Sequence, residues 1–168
     1  MTFAVGFSML ACAPRKLERL HALPENPCDI LSAVEVSKAA RVEVVRVERV
    51  PSIQKIVNAQ RANAEPGPGT ICVYETRSAL GGITIWVPPD SERTRARYLE
   101  QRDAYRRSYR GSGRAVSGLG EDAWMAGGAS LTILVRDDTY FGIGIQYGGG
   151  PQIPDILGRL GRAAVHRF

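Results

Sequence analysis

Residues 131–147 read LTILVRDDTYFGIGIQY. Apolar side chains fall two apart at Leu131, Ile133 and Val135, and again at Phe141, Ile143, Ile145 and Tyr147, on either side of Arg136-Asp137-Asp138-Thr139. A period of two places each set on one face of a pleated strand, and a short polar connection folds two such strands back on each other. The stretch therefore predicts an antiparallel hairpin with one buried face. Gly142 and Gly144 interrupt its second arm, where strand glycines mark the close approach of a neighbouring element.

Working outward, Ile153, Ile156, Leu157, Leu160 and Ala164 recur at spacings of 3, 4, 3 and 4, the stripe of an amphipathic helix that covers a sheet. Upstream, Ala115-Val116 and Ala123 to Met125 read as short extended pieces around a Gly118-Leu119-Gly120 turn. Thr70 to Glu75 and then Ile83, Ile85 and Val87 read as two strands around Gly81-Gly82, stopped by Pro88-Pro89. Val42 and Val44, then Val45 and Val47, alternate in two phases with one slip, which predicts a strand with a bulge. Ser32-Ala33-Val34-Glu35 is a capping box with Leu31 and Val36 at the staple positions, so a short helix should run to about Ala40. From Ser91, an N-cap candidate, to Arg110 the pattern is helical, with Tyr98, Tyr105 and Tyr109 on one face and Gly111 as the stop. Asn58 to Gly69 has no period and reads as a loop. Strands following strands, with helices at intervals, give an α+β domain: a mostly antiparallel sheet packed against two to three helices.

A chain of 168 residues with 44% hydrophobic and 23% charged residues suits one globular domain, not a disordered or multi-span chain. The longest apolar run, Phe3 to Ala13, falls short of the roughly 18–20 residues of a membrane-spanning helix. That run ends in Leu10-Ala11-Cys12, which resembles the lipobox of bacterial lipoproteins. On this reading residues 1–12 are a signal segment truncated before its basic start, Cys12 carries the lipid, 13–27 is a linker and 28–168 is the domain. Alternatively, Phe3 to Leu10 packs as an ordinary strand or helix of a cytosolic protein.

Cys28 and Cys72 remain as an even pair without close spacing, and the chain has only two histidines, His21 and His166. Zinc draws four ligands from Cys, His and carboxylates, usually in close pairs, so no metal site is expected. A Cys28–Cys72 bridge would close a loop of about 45 residues and stabilise by about 4 kcal/mol, and it would persist only in an oxidising compartment. Two buried free thiols are the other reading. Gly118-x-Gly120-x-x-Ala123 matches a dinucleotide fingerprint in letters, but that motif works by opening a helix onto a pyrophosphate, and here β alternation follows. No cofactor is expected. Glu121-Asp122 is an acidic pair whose neighbours on an extended chain point to opposite faces. Both histidines sit in poor places for an oriented base, so no catalytic residue is assigned.

Charge is uneven. Between Ser91 and Arg114 stand Arg93, Arg95, Arg97, Arg102, Arg106, Arg107, Arg110 and Arg114 against Glu92, Glu100 and Asp103, and the rest of the chain is neutral. Such a helix reads either as a site for a polyanion, nucleic acid or acidic lipid surface, or as a solvated face in a chain with 19 arginines and 3 lysines.

Pro27-Cys28-Asp29-Ile30-Leu31 before a helix, Cys72-Val73-Tyr74 on a strand, and Gly118-Leu119-Gly120-Glu121-Asp122-Ala123 before the final hairpin resemble an uncharacterised family of secreted lipoproteins of high-GC bacteria. The resemblance implies a PsbP-like α+β sandwich, a Cys28–Cys72 bridge, an anchor at Cys12 and no enzymatic activity. The expectation is a non-catalytic module of the cell envelope, membrane-anchored or secreted. Its partner would be an envelope protein or polyanion, with no specific nucleic acid. The alternative is an intracellular anion-binding protein acting through 91–114.

Overall fold

The computed structural model describes residues 20, 22–50, 70–108, 113–136, 139–146 and 150–168. Among them the alternating segments become seven strands: β1 (Val44–Val50), β2 (Thr70–Thr76), β3 (Gly82–Val87), β4 (Arg114–Ala115), β5 (Asp122–Ala126), β6 (Ser130–Leu134) and β7 (Tyr140–Ile145). Three α-helices accompany them: α1 (Ala33–Ala40), α2 (Arg95–Ser108) and α3 (Ile153–Val165). The strands form one sheet in the order β1-β2-β3-β7-β6-β5-β4, antiparallel throughout. The chain is thus two meanders, β1–β3 and β4–β7, whose inner strands β3 and β7 pair. The fold class is α+β.

Alternation gives the sheet two different faces. Cys72 and Tyr74 of β2, Ile83, Ile85 and Val87 of β3, Leu131 and Ile133 of β6, and Phe141, Ile143 and Ile145 of β7 point to one side. There they meet the stripe of α3, Ile153, Ile156, Leu157, Leu160 and Ala164, together with Val36 and Ala40 of α1. Gly161 lets α3 lie close, since a Cβ at that position would stand 3.0 Å from methyls of Leu119 and Leu131. The opposite face carries α2.

Local signals fold much as they read. Ser32 Oγ accepts from the Glu35 amide at 3.3 Å, and the Glu35 carboxylate accepts from the Ser32 amide at 2.7 Å, closing the capping box of α1. Leu31 and Val36, its staple, are both fully buried. The slip in the valine pattern is a register shift between Val44 and Arg46 against β2. The 131–147 hairpin is β6 and β7, closed by the Val135 amide donating to the Thr139 carbonyl at 2.8 Å.

Two readings change. Ser91 does not cap a helix. Asp90–Glu92 curls into a 3₁₀ turn, Arg93 leaves helical geometry, and Thr94 takes the cap, its hydroxyl accepting from the Arg97 amide at 3.2 Å. Pro88-Pro89 holds the chain extended up to that turn, so helical pairing starts only afterwards. The second change concerns residues 22–27, part of the segment read as linker: Leu23 and Pro27 are buried, and Asn26 caps a 3₁₀ turn, Pro27–Asp29. Cys12, His21, Asn58 to Gly69, Tyr109, Arg110, Gly111, Asp137-Asp138 and Tyr147 lie outside the described residues.

Cys28, in the turn Pro27–Asp29, is disulfide-bonded to Cys72 of β2, the two Cα atoms being 5.0 Å apart. Beside it the Tyr74 hydroxyl donates to the Leu31 carbonyl at 2.5 Å. Burial, then the carboxylates of Glu35 and Asp29, push the Tyr74 phenol far above its ordinary value.

Two substitutions separate capping from packing. Ser32→Ala should cost about 1 kcal/mol, the usual worth of an N-cap, and Leu160→Ala about 2–5 kcal/mol through the cavity it leaves beneath α3. Urea unfolding midpoints at constant slope report both.

Candidate binding face beneath helix α2

Register builds this face row by row. Thr84, Gly144, Ser130 and Ala126 stand side by side across β3, β7, β6 and β5. Next along the strands come Trp86, Gly142, Thr132 and Trp124, and beyond them Tyr140, Leu134 and Asp122 on the last three strands. Gly142 is required here because the Trp86 indole occupies the space its side chain would fill. Gly144 likewise leaves room for the Thr84 hydroxyl, which donates to the Gly144 carbonyl at 3.3 Å. The glycines read from sequence as points of close approach are such points.

Helix α2 crosses β5 and β6 and faces these rows with Tyr98, Gln101, Arg102 and Tyr105, spaced 3, 1 and 3 as one helical stripe. It is an unusually polar stripe. Its apolar content is Tyr98, buried edge-on against Tyr140 with ring centres 5.8 Å apart, with Leu99 beside it; Tyr140 in turn meets Trp86 edge-on at 5.9 Å. Charge supplies the rest. Arg102 Nη1 donates to Asp122 Oδ2 at 2.7 Å, Arg95 pairs with Glu121, and the Arg106 guanidinium lies 5.4 Å over the Trp124 ring.

Glu121 and Asp122 therefore hold the same helix, although strand alternation alone would have sent them apart. Asp122 is the first residue of β5 and obeys the alternation, sharing a face with Trp124; Glu121 precedes the strand and is free of it. The parity of Asp122 with Trp124 was the available signal.

The predicted arginine cluster divides. Arg93 follows the 3₁₀ turn and pairs with Asp90 at 2.7 Å, its Nε donating to the Pro88 carbonyl at 2.9 Å. Arg97 binds Glu100 at 2.6 Å, and Arg106 is 3.9 Å from Asp103. Arg107 on α2 and Arg114 on β4 are exposed, with no acidic partner among the described residues. Six acids, three of them outside the segment (Asp90, Glu121 and Asp122), thus stand against five of the seven described arginines. A segment that reads as +5 in isolation thus folds with part of that charge offset by acids from outside it.

The interface is also incompletely satisfied. Gln101 Oε1, Trp124 Nε1 and Tyr140 Oη are buried without a hydrogen-bond partner among the described residues. Each such group costs about 1–3 kcal/mol relative to a paired one. Burial first, then Asp122 for Tyr98 and Glu92 for Tyr140, raise both phenols, that of Tyr140 to about 12. At the C-terminal end of α2 a cleft of 370 Å³ opens over the Thr84 row, offering the Thr84 and Ser130 hydroxyls, Tyr105 and the Gln146 amide.

The Gly118-Leu119-Gly120 segment is a turn into a strand. Gly118 and Gly120 hold φ of 74° and 60°, Gly120 lies against the Leu134 carbonyl, and the chain passes into β5 instead of opening a helix. His166 caps the end of α3. Among the described residues no group of three or more His, Cys, Asp or Glu could hold a metal ion, and no helix is long and apolar enough to cross a membrane. Comparison with protein-family profiles, curated proteins and solved structures finds no match.

Two measurements test this account of α2. Asp122→Asn should lower stability by about 1–2 kcal/mol, between an exposed and a buried pair, and should speed amide exchange in α2 more than in α3. The second test is alkaline. Unfolded tyrosines ionise near pH 10, whereas Tyr74, Tyr98 and Tyr140 keep their protons above that in the native fold. The unfolded state therefore loses protons first, and stability that is level below pH 10 should fall as pH rises towards 12. Melting temperature followed across that range with phenolate absorbance checks it.

Proposed function

We propose that this chain is a non-catalytic binding module of the cell envelope, held on the extracytoplasmic side by lipid at Cys12 or released as a secreted protein. One observation carries the reading: the Cys28–Cys72 disulfide, which ties a 3₁₀ turn to a core strand across 44 residues of sequence. A bond of this kind persists where thiols are oxidised and not in a reducing cytosol. The PsbP-like sandwich implied by the sequence resemblance belongs to the same reading, and the sheet with helices on both faces is compatible with it.

The ion pairs of α2 support a binding module over an intracellular anion-binding protein. Arg93, Arg95, Arg97, Arg102 and Arg106 each have an acid of the same domain within reach, and two of these pairs, Arg95–Glu121 and Arg102–Asp122, fasten α2 to the start of β5. A rail for a polyanion needs cations that are free to release counterions.

Thiol titration of protein prepared from its native compartment is the test. Reduction should release two thiols, those of Cys28 and Cys72, giving none before and two after where Cys12 carries lipid, and one before and three after where it is free; Cys28 and Cys72 both reactive before reduction overturns the assignment to an oxidising compartment. Reduction should also cost about 4 kcal/mol of stability by the loop-closure argument. Mass spectrometry of the same material reads Cys12, where an acylated residue supports the anchor and an unmodified one leaves only the secreted form.

A further inference from the structure

β1 lies at the end of the sheet, paired with β2 on one side. Its side chains from Val45 to Arg49 are exposed on both faces. Val45 and Val47, at 49% and 41% exposure, are two of the three large apolar side chains left exposed among the described residues; the third, Val34, is on neighbouring α1. A seven-residue edge with outward apolar side chains is a template for another strand. Charges on such an edge ordinarily keep copies apart, so their order decides what it can accept.

That order is self-complementary. Residues 44–50 read VVRVERV, with Arg46 and Glu48 of opposite charge flanking Val47 and a valine at each end. If a second β1 lies antiparallel across a two-fold axis at Val47, Val47 faces its own copy and Val44 faces Val50. Arg46 then faces Glu48 on both sides of the axis, and directly opposed opposite charges stabilise a strand pair. Moving the axis by one residue sets either Arg46 against Arg46 or Glu48 against Glu48, so charge fixes the register as well as the partner. Within one chain Arg46 Nη2 already lies 3.0 Å from Glu48 Oε2 and Arg46 Nη1 3.7 Å from Glu75 Oε1, with side chains 61%, 49% and 48% exposed. Exposed pairs of this kind are worth little and readily exchange partners.

We propose that β1 is a homodimer interface: two copies pair antiparallel about Val47, joining their sheets into one across a two-fold axis. The contact is isologous, as a closed dimer requires. Its modest size makes it a reversible association, with a dissociation constant on the order of micromolar. The inference stands independently of the compartment assigned above.

Sedimentation equilibrium of the full chain carrying Cys12→Ala, run from low to high micromolar concentration, should show a monomer–dimer equilibrium. Arg46→Glu and Glu48→Arg should each weaken it by about tenfold or more, about 1.4 kcal/mol, because each sets two like-charge pairs across the axis. The double variant, with the charges exchanged, should restore it. Val47→Cys in the same background should oxidise to a covalent dimer, whereas Arg49→Cys, which faces Val45, should not. Thermal melts of every variant confirm that the domain is folded. A chain monomeric at all concentrations overturns the proposal. So do single charge reversals that dimerise like the parent, a double variant that fails to recover, or cross-linking at position 49 instead of 47.

Discussion

The seam between β3 and β7 is the constraint on which both faces of the domain depend. It pairs strands from the two meanders, setting Ile83 against Ile145 and Ile85 against Ile143 on one side, and Thr84 against Gly144 and Trp86 against Gly142 on the other. The isoleucines make the floor of the core beneath α3. On the reverse side two glycines face two larger residues, so the Trp86 indole lies over β7 in place of a side chain there. A side chain at position 142 would displace that indole, and with it the Trp86–Tyr140–Tyr98 chain of edge-on rings that seats α2. Packing on one side of the sheet and helix docking on the other therefore share a single register.

The two faces are held by different physics. Helix α3 meets the sheet through a full apolar stripe, and burial of this kind contributes roughly 25 cal/mol for each Å² removed from water. Helix α2 buries one tyrosine completely and relies on guanidinium–carboxylate pairs and a guanidinium–indole contact, beside buried polar atoms that have no partner among the described residues. Partly exposed ion pairs return little net energy, and buried unpaired polar groups subtract from it. Opening of α2 away from the sheet is accordingly cheaper than opening of α3, and such low-stability units are the ones a fold can move without unfolding. The cleft at the C-terminal end of α2 lies at the margin of that weaker interface.

What the sequence made legible follows the same division. Periods of 2 and of 3 and 4 revealed both arms of the hairpin, the stripe of α3 and the bulge in β1, because burial writes itself as spacing. The capping box was equally plain, its four residues being consecutive. The start of α2 was not: Ser91 and Thr94 are both good caps, and the choice rests on the 3₁₀ turn that Asp90, Ser91 and Glu92 form after two prolines. The arginine cluster misled for a different reason. Its charge is partly offset by Asp90, Glu121 and Asp122, of which the latter two come from the start of β5 and the residue before it, twenty or more residues away, and a local charge balance is blind to partners brought in by topology. Strand pairing order was invisible as well, since nothing local shows that β7 inserts beside β3.

The disulfide has a consequence beyond compartment. Cys72 sits in β2 directly opposite Arg49 of β1, and β2 is fixed from the other side by the bond to Cys28 and by the Tyr74 hydroxyl on the Leu31 carbonyl. The strand that carries the edge is thus tied covalently to the turn before α1, while α1 reaches β1 through the Val44 amide donating to Ser37 Oγ at 3.2 Å. An edge strand backed in this way loses little conformational freedom when another strand is added to it, and ordering cost is what usually weakens association through a strand edge. The bond on which the proposed compartment rests thus also backs the edge offered to a second copy in the proposed dimer.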